Sequence, residues 1–560
     1  MHLHGLARRF FAVLLLNLAP VVLLQGASSP SPIRFELSKI PFRLENDPTP
    51  AKNPPETMPG GVAIFDYNGD GRPDIFFTNG ANIATLKKDS PKYRNRLFRN
   101  DGNGGFTDVT DAAGLAGSGY DMGVAVADFD NDGHPDLFVA GLHHSTLYHN
   151  NGDGTFTDVT VKAGLDASLN RPDPEFGAYW AITAAWVDVN NDGLLDLFVV
   201  NYMQWTYTDK PLCAIQGLAD YCSPKFYKGQ PNQLFLNNGN GTFREVSKEW
   251  GLLSHVGKGM GVGVADYDLD GRPDLFVTND ALYNSLFHNL GDKFEEVAFD
   301  TGVALTEDGS FISGMGLDFR DFNNDGYPDV AFVALVDQTF PLFLNTGKGS
   351  FREVTSESGM RDGSLKMSGF GAGLYDFDND GWKDLFVSGG HVESLTLNGQ
   401  QVDQPNAVFR NLGTSGKWAR LTEDAGFTSI APARHRGCAF GDLDGDGRID
   451  VVVTALGQDA EIWMNRSEKS GHWLDIALRG TKSNRDGIGA RIKVVSKNGT
   501  QYNHMTSSVG YASSSYGPVH FGLGPDSRAD LIEIHWPSGI VQTLEDVPGD
   551  RVLKVTEPTH

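Results

Sequence analysis

The sequence predicts an all-β fold: a seven-bladed β-propeller followed by a small β-rich C-terminal domain. Three observations predict it. A nine-residue acidic loop recurs seven times, every copy sits between two apolar strands, and the repeat stops near residue 470. Four short strands per unit at a long, steady period mark a blade array. The loops begin at Asp66, Asp128, Asp188, Asp266, Asp321, Asp376 and Asp442, so successive copies lie 55 to 78 residues apart.

Each loop places oxygen side chains at positions 1, 3, 5 and 9 and glycine at position 6. The candidate metal ligands are Asp66, Asn68, Asp70 and Asp74 in loop 1, and Asp128, Asp130, Asp132 and Asp136 in loop 2. Loop 3 offers Asp188, Asn190, Asp192 and Asp196, and loop 4 offers Asp266, Asp268, Asp270 and Asp274. Loop 5 has Asp321, Asn323, Asp325 and Asp329, loop 6 has Asp376, Asp378, Asp380 and Asp384, and loop 7 has Asp442, Asp444, Asp446 and Asp450. This is the order in which a calcium loop presents its ligands, because a hard cation takes roughly six to eight oxygens and the glycine allows a sharp turn. Carboxylates this close repel one another unless a cation holds them. Up to seven Ca²⁺ are expected, bound more weakly where Asn68, Asn190 and Asn323 remove a charge.

Position 7 runs Arg72, His134, Leu194, Arg272, Tyr327, Trp382 and Arg448, as expected if its backbone carbonyl is the ligand. An EF-hand would need Glu at position 12. Here that position is Phe77, Val139, Val199, Val277, Phe332, Val387 and Val453, so the loops run straight into buried strands.

From the N-terminus, Arg8-Arg9, the apolar run Phe10 to Leu24 and the small residues Gly26-Ala27-Ser28 read as a cleaved secretory signal over residues 1–27. The run is short for a membrane span, and no transmembrane span is expected in the mature chain. Residues 28–470 are assigned to the propeller. The segment near 33–44 is expected to supply the last blade's missing fourth strand and so remove exposed sheet edges; His472–Ile476 competes for that place.

Within a unit the first strand is glycine-rich (MGVAVADFD), and the second follows the loop (DLFVAGL). The third ends in an aromatic shortly before Asn (TLYHN). In the first six units a fourth strand opens with Phe106, Phe156, Phe243, Phe294, Phe351 or Trp418. β-Branched and aromatic runs separated by Asn-Gly or Asp-Gly turns are hairpin signals. The acidic loops and the glycine turns then share one face. On the other face the connections vary in length, and functional residues favour such loops on a rigid scaffold.

The connection from Tyr202 to Gln230 is rich in aromatics: Tyr202, Trp205, Tyr207, Tyr221, Phe226 and Tyr227. They either pack the insertion onto the ring or meet a ligand. Cys213 and Cys222 lie in the same insertion, where an oxidising compartment would allow a bridge. Cys438, in an apolar strand, reads as a buried small hydrophobe. Residues 471–560 (GIGARIKVV, VHFGLG, ADLIEIHW) read as a separate small β domain.

Net charge is −25, from 46 Lys and Arg against 71 Asp and Glu. Twenty-five aspartates occupy the loop positions, so much of the acidity is assigned to metal ligation, and nucleic acid, which asks for basic patches, is not an expected partner. No HExxH, GxSxG or phosphate-loop motif occurs.

The loops with their glycine-rich first strands resemble FG-GAP/VCBS repeats, the calcium-bearing blades of integrin alpha-subunit propellers. HWLDIALRGTKSNRDGIGARIKV, VHFGLG and IEIHWPSGIVQ resemble the ASPIC/UnbV domain. In this order the two resemble the cartilage acidic protein family and its bacterial relatives. The resemblance implies the seven-bladed fold and calcium at these loops, and no catalytic residue. The expected function is an exported binding, adhesion or scaffold module that meets a protein or glycan on the face opposite the loops. The alternative is an extracellular polysaccharide lyase or hydrolase on the same scaffold.

Overall fold

A computed structural model describes residues 31–208, 211–395, 401–468 and 470–559; the signal expected over residues 1–27 lies outside them. The described chain is all-β, with only short helical turns between strands. Among these residues no helix is long and apolar enough to cross a membrane.

Seven sheets carry the seven loops, and each loop joins two antiparallel neighbours that are the first and second strands of its repeat. Sheet 2 shows the pattern: Tyr120–Ala127, Asp136–Leu142, Thr146–Asn150 and Phe156–Asp158, paired in that order. In sheet 7 the strands are His435–Gly441, Asp450–Ala455 and Asp459–Asn465, and the fourth place is held by the N-terminal strand Phe35–Arg43. Phe35 faces Asn465 there as Trp418 faces Asn411 in sheet 6 and Phe106 faces Asn100 in sheet 1. The competing segment His472–Arg479 pairs instead with Val519–Gly524 and Arg551–Thr556.

Second strands are buried along their whole length because each sheet is covered on both faces by its neighbours. Between sheets 3 and 4, for example, Phe198, Val200 and Trp250 pack with Val262, Val277 and Phe294. The first strands are glycine-rich because they approach one another closely. A Cβ on Gly123 would stand 2.2 Å from the Ile182 carbonyl oxygen, and one on Gly437 would stand 2.3 Å from that of Gly60. These strands pack side by side from sheet 1 to sheet 7, and His435–Gly441 of sheet 7 lies against Val62–Phe65 of sheet 1.

The C-terminal residues form a three-stranded and a four-stranded sheet. They sit on the loop side, where Leu474, Ile476, Ile492 and Ile532 share a core with Phe129, Trp186 and Phe243 of sheets 2 and 3. Residues 505–516 reach in among the first strands. Ser514–Ser515 pairs in parallel with Ala63–Ile64, and the Ala512 carbonyl accepts a hydrogen bond from Val124 N–H at 3.1 Å. The Ser507 hydroxyl donates to the Val126 carbonyl (2.7 Å), that of Ser508 to Val262 (2.8 Å) and that of Tyr511 to Met58 (2.7 Å). Short hydroxyl side chains suit this place because they satisfy backbone groups that no neighbouring strand reaches.

Candidate metal centres

The loops are shaped by their own backbone. In each one the aspartate at position 1 accepts the N–H of the position-6 glycine, as from Gly133 to Asp128 and from Gly381 to Asp376, both at 2.7 Å. Position 4 is left-handed in all seven: Gly69, Asn131, Asn191, Leu269, Asn324, Asn379 and Gly445. Glycine and asparagine adopt that backbone most easily, which explains their presence here and makes Leu269 the costly exception.

The aspartate at position 9 is a buried clip. One oxygen accepts the N–H of position 2 and the other accepts the N–H of the asparagine that ends the third strand. For Asp136 the donors are Phe129 (3.1 Å) and Asn150 (2.7 Å), and for Asp450 they are Leu443 (2.9 Å) and Asn465 (2.7 Å). Asp74, Asp196, Asp274, Asp329 and Asp384 are held the same way. Apart from Asp274 Oδ1, which also meets His288, each oxygen keeps a further lone pair that a cation could use.

That third-strand asparagine also ties sheets together. Its amide donates to the carbonyl of position 8 in its own loop and to the carbonyl of position 2 in the loop before. The second bond runs from Asn150 to Tyr67, Asn237 to Phe129, Asn289 to Val189, Asn345 to Tyr267, Asn411 to Phe322 and Asn465 to Phe377, at 2.8 to 2.9 Å. Asn100 of sheet 1 makes it to Leu443 of loop 7 at 2.8 Å. Sequence reading marked this Asn as part of the strand pattern but gave it no role.

Several groups could hold a metal ion. The carboxylates of Asp128, Asp130 and Asp136, of Asp266, Asp268 and Asp270, and of Asp376, Asp378 and Asp384 converge so that one oxygen from each lies within 4.8 Å of the others. His149 joins Asp130 and Asp132, and His288 joins Asp268 and Asp274, in the same way. Nε2 of His149 is 3.0 Å from Asp130, and Nδ1 of His288 is 3.1 Å from Asp274. Both histidines directly precede the third-strand asparagine, a place held by Arg410 in sheet 6 and by Leu236 and Leu344 in sheets 3 and 5. In the sequence each is only the variable residue before the asparagine, and strand pairing brings it to a loop. Arginines also lean on the loops: Arg72 bonds Asp70, Arg272 bonds Asp270 and Arg448 bonds Asp446.

Burial pushes the Asp74, Asp128 and Asp274 carboxyls up to about 7 and those of Asp188 and Asp266 to about 6. Asp136, Asp196, Asp329, Asp384 and Asp450 are likewise held well above the usual carboxylate range by burial. A divalent cation would oppose that shift and keep them ionised. The donor set fits calcium on one direct observation: Oδ1 of Asp378 is buried with no hydrogen-bond partner, in a carboxylate that converges with those of Asp376 and Asp384. Such an atom calls for an ion or a water.

At the other end of the sheets, Cys213 and Cys222 form a disulfide. Of the insertion's aromatics, Tyr202, Trp205 and Tyr227 are buried, with Trp180 set edge-on to Tyr202 at 5.0 Å. The Tyr221 hydroxyl donates to Glu56 at 3.2 Å. Tyr207 and Phe226 stay open, 40% and 56% exposed. Cys438 is buried and free.

The molecule is thus an all-β repeat protein with an acidic loop in every repeat. The FG-GAP-like repeat model matches residues 66–139, 128–199, 217–277, 266–332, 321–387 and 376–453, and the chain belongs to that family. The ASPIC and UnbV model matches residues 480–560. The chain is homologous to cartilage acidic protein 1. It is 23% identical to the Xenopus tropicalis protein over 90% of this chain and 74% of that one. It is 23% identical to the Homo sapiens protein over 99% of this chain and 79% of that one. Among solved structures, an Agrocybe aegerita lectin recognising non-reducing terminal N-acetylglucosamine aligns at 17% identity and TM-score 0.40, covering 72% of this chain and 87% of the lectin. The rhamnogalacturonan lyase YesW aligns at 13% identity and TM-score 0.36, covering 78% of this chain and 76% of the lyase.

Proposed function

We propose that residues 28–470 form a closed seven-bladed β-propeller, each sheet a blade and each loop a calcium site. On this reading the protein is exported and serves as a rigid binding or scaffold module for a protein or glycan partner, with residues 471–560 as a C-terminal domain covering the loop face. The observation that carries the reading is the asparagine circuit: each blade is bonded to the loop before it, and blade 1 is bonded to loop 7. With the ring closed, the edges left are the short outer strands of the blades, which are poor templates for aggregation.

Calcium supplies charge neutralisation at the loops. The side chains at positions 1, 3, 5 and 9 and the position-7 carbonyl are its ligands, and the backbone N–H bonds to positions 1 and 9 hold those carboxylates in place. The partner meets the opposite face, where the insertion is fixed by the Cys213–Cys222 disulfide and presents Tyr207 and Phe226. Rigid aromatic side chains are efficient contact residues because they lose little entropy on binding.

Two measurements test the reading. Equilibrium dialysis against calcium should show several ions per chain, and uptake of none would refute the metal assignment. Binding to a glycan array and to immobilised extracellular proteins should be lost in a Tyr207→Ala/Phe226→Ala double variant that melts like the wild type. Binding that survives in that variant would move the site elsewhere.

A further inference from the structure

Loop 6 differs from its six copies. Its position-3 carboxylate, Asp378, is 5% exposed, against 25% for Asp130, 26% for Asp268 and 30% for Asp444 at the same position. Asp376, Asp378 and Asp384 are all buried. Asp376 and Asp384 are each held by two or more backbone N–H groups, from Asp380, Gly381, Phe377 and Asn411. Asp378 leans on Arg410 instead: its Oδ2 takes the guanidinium at 2.8 Å, and its Oδ1 is buried without a well-formed hydrogen bond.

The lid of this site is C-terminal chain. Gly471 N–H donates to the Asp378 carbonyl at 3.0 Å, and Gly524 N–H to the Asn379 carbonyl at 2.8 Å. The Asn498 amide donates to the Asp380 carbonyl at 3.0 Å, and His520 Nε2 meets the Asn379 side chain at 2.8 Å. Gly522 lies so close that a Cβ on it would stand 2.0 Å from Asp376 Oδ2. From outside, Arg410 closes the loop at the floor of a surface groove, 2.7 Å from Asp380.

We propose that loop 6 holds an occluded cation that latches the C-terminal segment onto the loop face. The inference rests on the calcium reading above and adds to it that one ion is trapped and has a second task. Three buried carboxylates and Asp380 meet one guanidinium directly, with His520 and Lys383 as the other cations that act on Asp376, so near neutral pH a divalent ion favours seating of the segment by balancing the charge that is left, because an unpaired buried charge is strongly disfavoured. Once seated, it blocks the way out: the ion leaves only when Arg410 swings away or when the strands around Gly471 and Gly522 lift. The C-terminal domain touches other loops as well, Arg485 at loop 2 and Trp473 at loop 7, but their position-3 side chains stay more exposed, so their ions exchange faster. Calcium as the hard divalent class follows from the all-oxygen donor set.

The test is a chase. Full-length protein is loaded with ⁴⁵Ca²⁺, excess chelator is added, and retained label is followed. One ion per chain should leave at least about tenfold more slowly than the rest, since occlusion acts on the off-rate. Gly522→Ala, which pushes the lid off Asp376, and Arg410→Leu, which installs the residue that sheets 3 and 5 already carry, should each abolish the slow phase. Asn498→Ala removes one lid bond at lower risk to folding and should shorten that phase. In parallel, hydrogen exchange over residues 471–476 and 519–524 should stay protected as long as the slow ion remains. Ions that all leave together, or a slow ion untouched by all three substitutions, would overturn the latch while leaving the calcium reading intact. A chain that takes up no calcium in the loading step would refute both.

Discussion

At one end of the seven sheets a single hydrogen-bond scheme is repeated seven times, with the same donor atoms reaching the same acceptors from loop to loop. At the other end the connections differ in length, and the longest is closed by a disulfide over buried aromatic rings. The first end buries charge and polar backbone, so its parts depend on one another and on whatever balances the carboxylates. The second buries apolar rings, and the charges it buries are paired within the protein, as Lys88 is with Asp121 at 3.3 Å, so it needs no added cation. Perturbing the charge balance should therefore damage the first end and spare the second.

Chelation is the strongest way to press on that difference. At a free calcium of about 100 times Kd each occupied site adds roughly 2.7 kcal/mol of stability, so removing several ions should lower the melting temperature more than any substitution below. Calorimetry with and without chelator at pH 7.5 is the check, and coincident melts would mean that the loops stand without metal. Under non-reducing conditions the Cys213–Cys222 bridge should survive the same treatment.

Acidity should move the metal-free protein in a definite direction. Burial raises Asp74, Asp128 and Asp274 to about 7 in the folded chain, above the usual carboxylate range. A raised folded pKa means that the native state binds the extra protons. Its stabilising contribution is complete below about pH 4 and is lost as pH rises through 7. The chelated protein should thus lose this contribution between pH 4 and 7.5, and the gain in melting temperature on adding calcium should be larger at pH 7.5 than at pH 5. A calcium gain that shrinks as pH rises would contradict this assignment.

A single clip should matter less than the metal. Asn100→Ala removes the bonds to Pro73 and to Leu443, leaving two carbonyls without that donor, and should cost about 2–3 kcal/mol in urea unfolding. Asn345→Ala, within the series rather than at its junction, should cost about the same. A much larger loss for Asn100 alone would mark the junction of sheets 1 and 7 as the weak point.

Smallest should be the effect of Cys213→Ser/Cys222→Ser. The bridge closes a short surface segment, so global melting should shift little while proteolysis between residues 211 and 223 accelerates. A global collapse would mean that the two ends are coupled after all.

Much of the fold was legible because its signals are short-range. Oxygen side chains at fixed offsets, an apolar run directly after them and a turn glycine all fall within a dozen residues, and seven copies reinforce one another. His149 and His288 were not legible as loop neighbours. In the sequence each is 14 residues or more from the nearest aspartate it contacts, and only strand pairing brings it over the loop. The insertion's aromatics looked uniform in sequence, yet Trp205 is buried while Phe226 is exposed, a distinction made by packing against Trp180 and His143.

By itself the sequence determined the repeat, the strand order within each unit and the positions of the acidic side chains, since each depends on neighbours along the chain. Only the tertiary structure decided which atoms cross between units. The Asn100 amide reaches Leu443 across 343 residues, and Gly471 and Gly524 settle on loop 6 rather than on another copy of the same motif. Similar loops become different sites when one has its position-3 carboxylate buried and the others keep theirs more exposed, because burial sets what an unbalanced charge costs.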